Sequence, residues 1–283
     1  MLMRIDERPV IMVPEVLPTR PYNFAADTWL VPTLVPEGSG AYIGAHSLVI
    51  AGAEPVIVDT GASLVREHWT EQAFSIVDPA DVRWVVLSHD DHDHIGNLLP
   101  VLDMCPDATL VASFAIFQRL AGDVELPIER MRWVDVGESL DVGDRVLSAV
   151  RPPMFDSPAT RGFFDDRTGV LWAADSFGAL LPGEVHERAD VPDDLFEASF
   201  DMLNSWNTPW LELVDRERFA AHVRNVARLP IEAIASAHGP VIRGAAIESA
   251  FERTVALAGH APAPMPGQDV LDLMVAMALS PAA

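Results

Sequence analysis

The sequence predicts an α/β fold in layers, with sheets in the middle and helices outside. Short apolar runs rich in β-branched residues dominate the first part of the chain, and helix-period segments then interleave between pairs of such runs. The hydrophobic share, 49% of 283 residues, is enough for one or two domains with a substantial buried core.

Trp29–Val35, Ala41–Ile50 and Pro55–Val58 read as strands, the last ending in the turn Asp59-Thr60-Gly61. Leu64–Val77 reads as a helix because Val65, Trp69, Phe74 and Val77 recur near helical spacing. Val82–Leu87 is a short β-rich run, and Leu98–Met104 opens a helix. Thr109–Ala112, Met131–Val136, Arg145–Val150, Val170–Ala174 and Ala233–Ser236 read as further strands. Phe114–Leu120, Arg216–Arg228 and Ala245–Ala258 read as helices. A Pro-rich linker, residues 261–267, separates the body (1–260) from a short helix within 268–283. That helix has Val270, Leu271, Leu273, Met274 and Met277 as an apolar face. It is expected to pack on the body or on another subunit, the latter giving a homo-oligomer.

Charge and cysteine content narrow the partners. A net charge of −23 with no basic stripe repels phosphate backbones, so nucleic acid is not an expected partner. Cys105 is the single cysteine, which excludes an internal disulfide or a thiolate cluster and makes a reducing cytoplasm the expected compartment. Met1 to Glu15 lacks the apolar run of a signal peptide, and no stretch reaches the roughly 18 apolar residues of a membrane span.

The chemistry is concentrated after the Val82–Leu87 run. His89-Asp90-Asp91-His92-Asp93-His94 is made only of Asp and His, and such crowding repels itself unless cations compensate. The alternative is a solvated acidic turn. The segment is similar to the metallo-β-lactamase superfamily signature His-x-His-x-Asp-His, here His89-x-Asp91-x-Asp93-His94. A carboxylate at the second ligand position resembles the flavodiiron and stand-alone oxygen-binding di-iron branch, whose pattern is His-x-Glu-x-Asp-His; Asp91 is one methylene shorter. Val56-Ile57-Val58-Asp59-Thr60-Gly61 resembles the family's early strand and turn. Ala174-Asp175-Ser176-Phe177-Gly178 and Ser236-Ala237-His238-Gly239-Pro240 resemble its later loops, all in the right order, so the resemblance runs from about Thr28 to Ala250.

The resemblance implies a metallo-β-lactamase-type αββα four-layer sandwich and two metal ions. One ion would be held by His89, Asp91 and Asp156, the other by Asp93, His94 and His238, with Asp175 bridging. Asp156 takes a position where the family normally has His; its other reading is a turn residue in Asp-Ser-Pro. Hard oxygen donors with imidazole suit iron, with manganese or zinc as the other ions such a site can take. The implied function is binding or reduction of O2 or NO, with an external electron donor because the chain ends soon after Ala250, without room for a flavin domain. The alternatives are a non-enzymatic oxygen sensor and a metal-dependent hydrolase of an ester, lactone, amide or thioester. His92 lies off the ligand register, either as a donor or proton source behind the ligands or as an ordinary exposed His. His46, His68, His186, His222 and His260 read as ordinary, Trp172, Phe177, Trp206 and Trp210 as packing residues, and Cys105 as a small buried hydrophobe.

Overall fold

The computed structural model describes residues 17–37 and 40–279; the expectation of no leader concerns Met1 to Glu15, outside them. The chain begins with strands β1 (Tyr22–Ala25), β2 (Thr28–Val31), β3 (Leu34–Pro36), β4 (Tyr42–Gly44), β5 (Ser47–Ile50) and β6 (Val56–Val58). Helix and strand then alternate through α1 (Arg66–Ile76), β7 (Trp84–Val86), α2 (His92–Ile95), α3 (Leu98–Met104), β8 (Thr109–Ala112), α4 (Phe114–Leu120) and β9 (Met131–Trp133). The second half holds β10 (Ser139–Asp141), β11 (Val146–Val150), β12 (Gly162–Asp165), β13 (Val170–Trp172), α5 (Asp193–Asn207), α6 (Arg216–Val226), β14 (Ala233–Ala235), β15 (Ile242–Arg243), α7 (Ala245–Ala256) and α8 (Gln268–Leu279).

A seven-stranded sheet, β1-β2-β5-β6-β7-β8-β9, packs on a six-stranded sheet, β10-β11-β12-β13-β14-β15. Successive strand residues face opposite ways, so each sheet supplies two apolar faces. Leu48, Ile50, Val58, Val86 and Val111 meet Leu147, Phe163, Val170, Trp172 and Ala235 between the sheets. Their neighbours Val49, Ile57, Val85 and Leu110 turn outward onto Trp69 and Ala73 of α1, Val101 of α3 and Ile116 of α4. On the far side, Phe164, Leu171 and Ile234 pack against Phe200 of α5, Val223 of α6 and Phe251 of α7. Each such side chain contributes roughly 1.5–3 kcal/mol by leaving water. The result is the αββα sandwich.

Two of the expected long strands are broken. Trp29–Val35 divides at Pro32-Thr33, because Pro32 has no N–H for the ladder; its carbonyl accepts from Gln72 Nε2 at 3.0 Å. Ala41–Ile50 divides at Ala45-His46, where His46 N donates to Ala237 O at 2.9 Å. The paired strands β3 and β4 thereby leave the large sheet and bring Gly44 beside the loop after β14.

β1, β10, β12, β15 and α5 are additions to the expected elements. β12 is buried on both faces and shows no alternation, which hides it from a period-2 reading. α5 buries Phe196, Ser199, Phe200, Leu203 and Asn204 at helical spacing, a pattern present in the sequence.

Strand direction positions the site. β6, β7, β8 and β9 run parallel, so their carboxyl ends share one edge of the first sheet. β11 and β13 are both antiparallel to β12, and β14 is parallel to β13, so these three also end together. Past α7, residues 261–267 carry no helix or strand, and α8 follows with Leu271, Leu273 and Met274 exposed rather than packed on the body. Among the described residues, no helix is long and apolar enough to cross a membrane.

Candidate metal centre

The loops after β7, β11, β13 and β14 converge. His89 and Asp91 follow β7, and Asp93 and His94 lie in α2. Asp91 caps α2 with its backbone carbonyl, accepting from His94 N at 2.9 Å, while its side chain makes no cap hydrogen bond and stays available. Asp156 comes from the loop after β11, Asp175 from that after β13 and His238 from that after β14.

Three groups of potential ligand atoms form here: His89 with Asp91 and Asp156, Asp93 with His94 and His238, and His89 with His94 and Asp175, each within 4.8 Å of one another. Asp175 stands between the first two. Its Oδ2 is 3.4 Å from His89 Nε2, while its Oδ1 is 3.0 Å from His94 Nε2 and 3.3 Å from His238 Nε2. Asp93 Oδ2 is 3.6 Å from both His94 Nε2 and His238 Nε2. The structure thus brings together all seven residues expected from the sequence. His92 is exposed on the first turn of α2 and belongs to none of these groups.

The polar atoms of the site fit cations. His89 Nε2, His94 Nε2 and Asp175 Oδ1 are buried without hydrogen-bond partners among the described residues. Folded proteins rarely leave such atoms unsatisfied. The opposite ring nitrogens, by contrast, are anchored. His238 Nδ1 lies 2.7 Å from Gly44 O, which can only accept, so Nδ1 carries the proton and Nε2 presents a lone pair. His94 Nδ1 is fixed in the same sense by Asp59 Oδ2 at 3.0 Å. Ser88 Oγ donates to Asp59 Oδ2 at 2.6 Å and can accept from His89 Nδ1 at 3.0 Å. All three imidazoles can therefore aim a lone pair inward, as metal-ligating histidines do.

Charge is concentrated at the site. Burial pushes Asp91 upward, opposed by His89 and reinforced by Asp156, Asp175 and Asp93, so the carboxylates crowd one another. Burial also disfavours the Asp175 carboxylate, but His89, His238 and His94 outweigh it and hold the group well below the usual range.

The backbone is shaped for these contacts. Asp59, Ala174 and Phe177 adopt φ of 59°, 50° and 67°, a left-handed conformation that costs non-glycine residues of order 1–3 kcal/mol each. Phe177 N donates to Asn204 Oδ1 at 2.9 Å, so α5 holds the Asp175 turn. Gly44 is required, since a Cβ there would lie 2.5 Å from His46 Nε2. Asp156 is exposed, and Thr160 Oγ1 donates to its Oδ1 at 2.5 Å, which fixes the carboxylate's orientation. Trp210 Nε1 donates to Phe155 O at 2.7 Å, which steadies that loop from behind.

Sequence reasoning missed Asp59 as the residue behind the candidate ligands. It is fully buried and accepts from Ser88 N, Ser88 Oγ, His94 Nδ1 and Trp172 Nε1. Its signal was a carboxylate closing an apolar strand. Asn204 and Ser88 carried no signal of their own.

The two-sheet sandwich with ligand loops at one edge defines the metallo-β-lactamase class. Within that class the chain belongs to the ODP family beta lactamase, whose family model matches residues 44–239. A putative diflavin flavoprotein A 1 of Thermosynechococcus vestitus is 30% identical over 70% of this chain and 34% of that protein. The anaerobic nitric oxide reductase flavorubredoxin of Salmonella typhi is 27% identical over 70% of this chain and 41% of that protein. The chain spans about a third of the first of these and two fifths of the second. A metal-soaked flavodiiron core from Synechocystis shares the fold with a TM-score of 0.69 at 17% identity, covering 84% of this chain and 60% of that one. Rubredoxin oxygen:oxidoreductase from Desulfovibrio gigas does so with a TM-score of 0.69 at 16% identity, covering 84% and 61%.

Proposed function

We propose that this chain holds two iron ions and binds or reduces O2 or NO with electrons from an external donor. His89, Asp91 and Asp156 would hold one ion, Asp93, His94 and His238 the other, and Asp175 would serve both. The observation that supports this reading is the Asp175 carboxylate, with one oxygen toward His89 and the other toward His94 and His238, amid buried nitrogens without hydrogen-bond partners among the described residues. Four carboxylates beside three imidazoles favour iron or manganese over zinc. Two bound irons would supply electrons to a diatomic ligand.

The chain's own residues do the rest. Asp59, Ser88 and Gly44 orient the imidazoles, and Thr160 orients Asp156. Asp91 and Asp156 add the negative charge that favours the higher oxidation state. The names of the relatives, a nitric oxide reductase and an oxygen:oxidoreductase, support NO and O2 as substrates. A reducing cytoplasm suits the single free cysteine, Cys105.

The test is metal analysis of protein made in iron-supplemented medium, with optical spectra before and after O2 and through cycles of reduction by an added donor. About two irons per chain and an O2-dependent spectral change are expected. Zinc occupancy with ester or thioester turnover would replace this reading with hydrolysis, and reversible O2 binding without turnover would make the protein a sensor.

A further inference from the structure

Behind the candidate ligand loop stands a buried cation that has no carboxylate in ion-pair contact among the described residues. Arg161 directly precedes β12 in the second sheet, and its guanidinium reaches the first. Nη2 donates to Leu87 O at 2.5 Å, Nη1 donates to Val134 O, and the backbone N donates to Ser88 O at 2.9 Å. Leu87 and Ser88 immediately precede His89. The residue is 0% exposed, and Nε has no hydrogen-bond partner among the described residues.

Burying a cation costs several kcal/mol unless something of opposite sign offsets it. Arg145 shows how this protein otherwise meets that need: it is also buried, but lies against Asp27, Asp144 and Asp165. Among the described residues Arg161 has no carboxylate in ion-pair contact: its guanidinium meets backbone carbonyls and lies over the Phe163 ring, 5.6 Å from the centroid. Burial accordingly pulls it down to about 10, and the fields of Asp135 and Asp59 act to hold it up. Asp59 in turn contacts His94 and Ser88, so the region next to Arg161 is the rear wall of the acidic centre.

We propose that Arg161 is a positioning residue that ties the His89 loop to the second sheet and serves as the fixed counter-charge of the acidic centre. This rests on the metal-site reading above. In the metal-free protein its charge offsets the clustered carboxylates. When dications enter, the same charge opposes them. Arg161 therefore limits metal affinity while keeping the empty site folded, whereas a purely structural tie would only strengthen binding.

R161M and R161K separate charge from shape, since both lose the planar fork and only lysine keeps the charge. Apoproteins would be titrated with zinc alone at about pH 6, where a buried lysine amine, pulled down by desolvation, keeps more of its charge than at neutral pH. R161M is expected to bind zinc about tenfold more tightly than R161K, given one fewer positive charge facing a dication. The apoprotein of R161M should also melt below that of R161K, with the gap narrowing once zinc is bound. Zinc binding by R161M no tighter than by R161K would overturn the inference. If R161M does not fold, R161Q takes its place under the same criterion. A wild-type apoprotein that takes up no zinc would remove the metal-site reading and this inference with it. Uptake by wild type with equal affinities in the two variants would remove this inference alone.

Discussion

Asp59→Asn probes how the site selects which imidazole nitrogen faces the ions. Asp59 Oδ1 accepts from Ser88 N at 2.7 Å, and Oδ2 accepts from Ser88 Oγ at 2.6 Å, His94 Nδ1 at 3.0 Å and Trp172 Nε1 at 3.3 Å. A carboxylate accepts on both oxygens, but an amide accepts on one side and donates on the other. If the amide oxygen stays on Ser88 N, the NH2 meets the N–H groups of His94 and Trp172. His94 can relieve that clash by moving its proton to Nε2. That is the atom facing Asp175 at 3.0 Å and Asp93 at 3.6 Å, and once protonated it is no longer a ligand. Loss of such an orienting partner typically costs about 10- to 100-fold in metal affinity. The loss should fall on the ion held with Asp93 and His238, leaving the ion at His89, Asp91 and Asp156 less affected. Hydrogen bonds to a charged acceptor contribute roughly 1.5–3 kcal/mol each, so the apoprotein should also lose on the order of 3 kcal/mol. Zinc titration against a competing chelator resolves the two affinities, and denaturant unfolding reads the stability. Unchanged affinity at both sites would refute the tautomer argument, and equal loss at both would assign Asp59 to general folding.

Other perturbations separate the ligands. Asp175→Ala should lose both ions, because on the proposed reading this carboxylate would serve both and screen their mutual repulsion; wild-type metal content in that variant would show the bridge to be misplaced. Asp156→Ala should weaken mainly one ion, with metal counting by elemental analysis as the check. Asp91→His replaces a charged oxygen ligand by a neutral nitrogen, so zinc should gain on iron in mixed-metal competition and reoxidation by O2 should slow. Unchanged preference and unchanged stopped-flow rates would remove Asp91 from the ligand set. Cys105 is fully buried and burial pushes its thiol up to about 11. Roughly one part in a thousand is then thiolate near pH 8, so alkylation should require unfolding, and rapid labelling of folded protein would contradict its burial.

The layer order was legible in the sequence because it rests on local periodicity. Val49, Ile57 and Val85 face outward and their neighbours inward along single short strands, and that alternation needs no knowledge of partners. The His89–His94 segment was legible for a similar reason: its crowding of carboxylates and imidazoles is a local anomaly. Asp156, Asp175 and His238 were reached through their order along the chain and their resemblance to a known pattern. Only the parallel run of β11, β13 and β14 carries those loops to one edge. The tertiary structure alone decided what stands behind the ligands. His238 is oriented by the carbonyl of Gly44, 194 residues away, and a backbone carbonyl leaves no mark on residue identity. Asp59 and Arg161 owe their roles to full burial between two sheets, where the loss of water makes each charge answer to neighbours brought from elsewhere in the chain. Local preferences specify which way a strand faces, but the hydrogen bonds and charges that set this centre are made only when distant segments pack together.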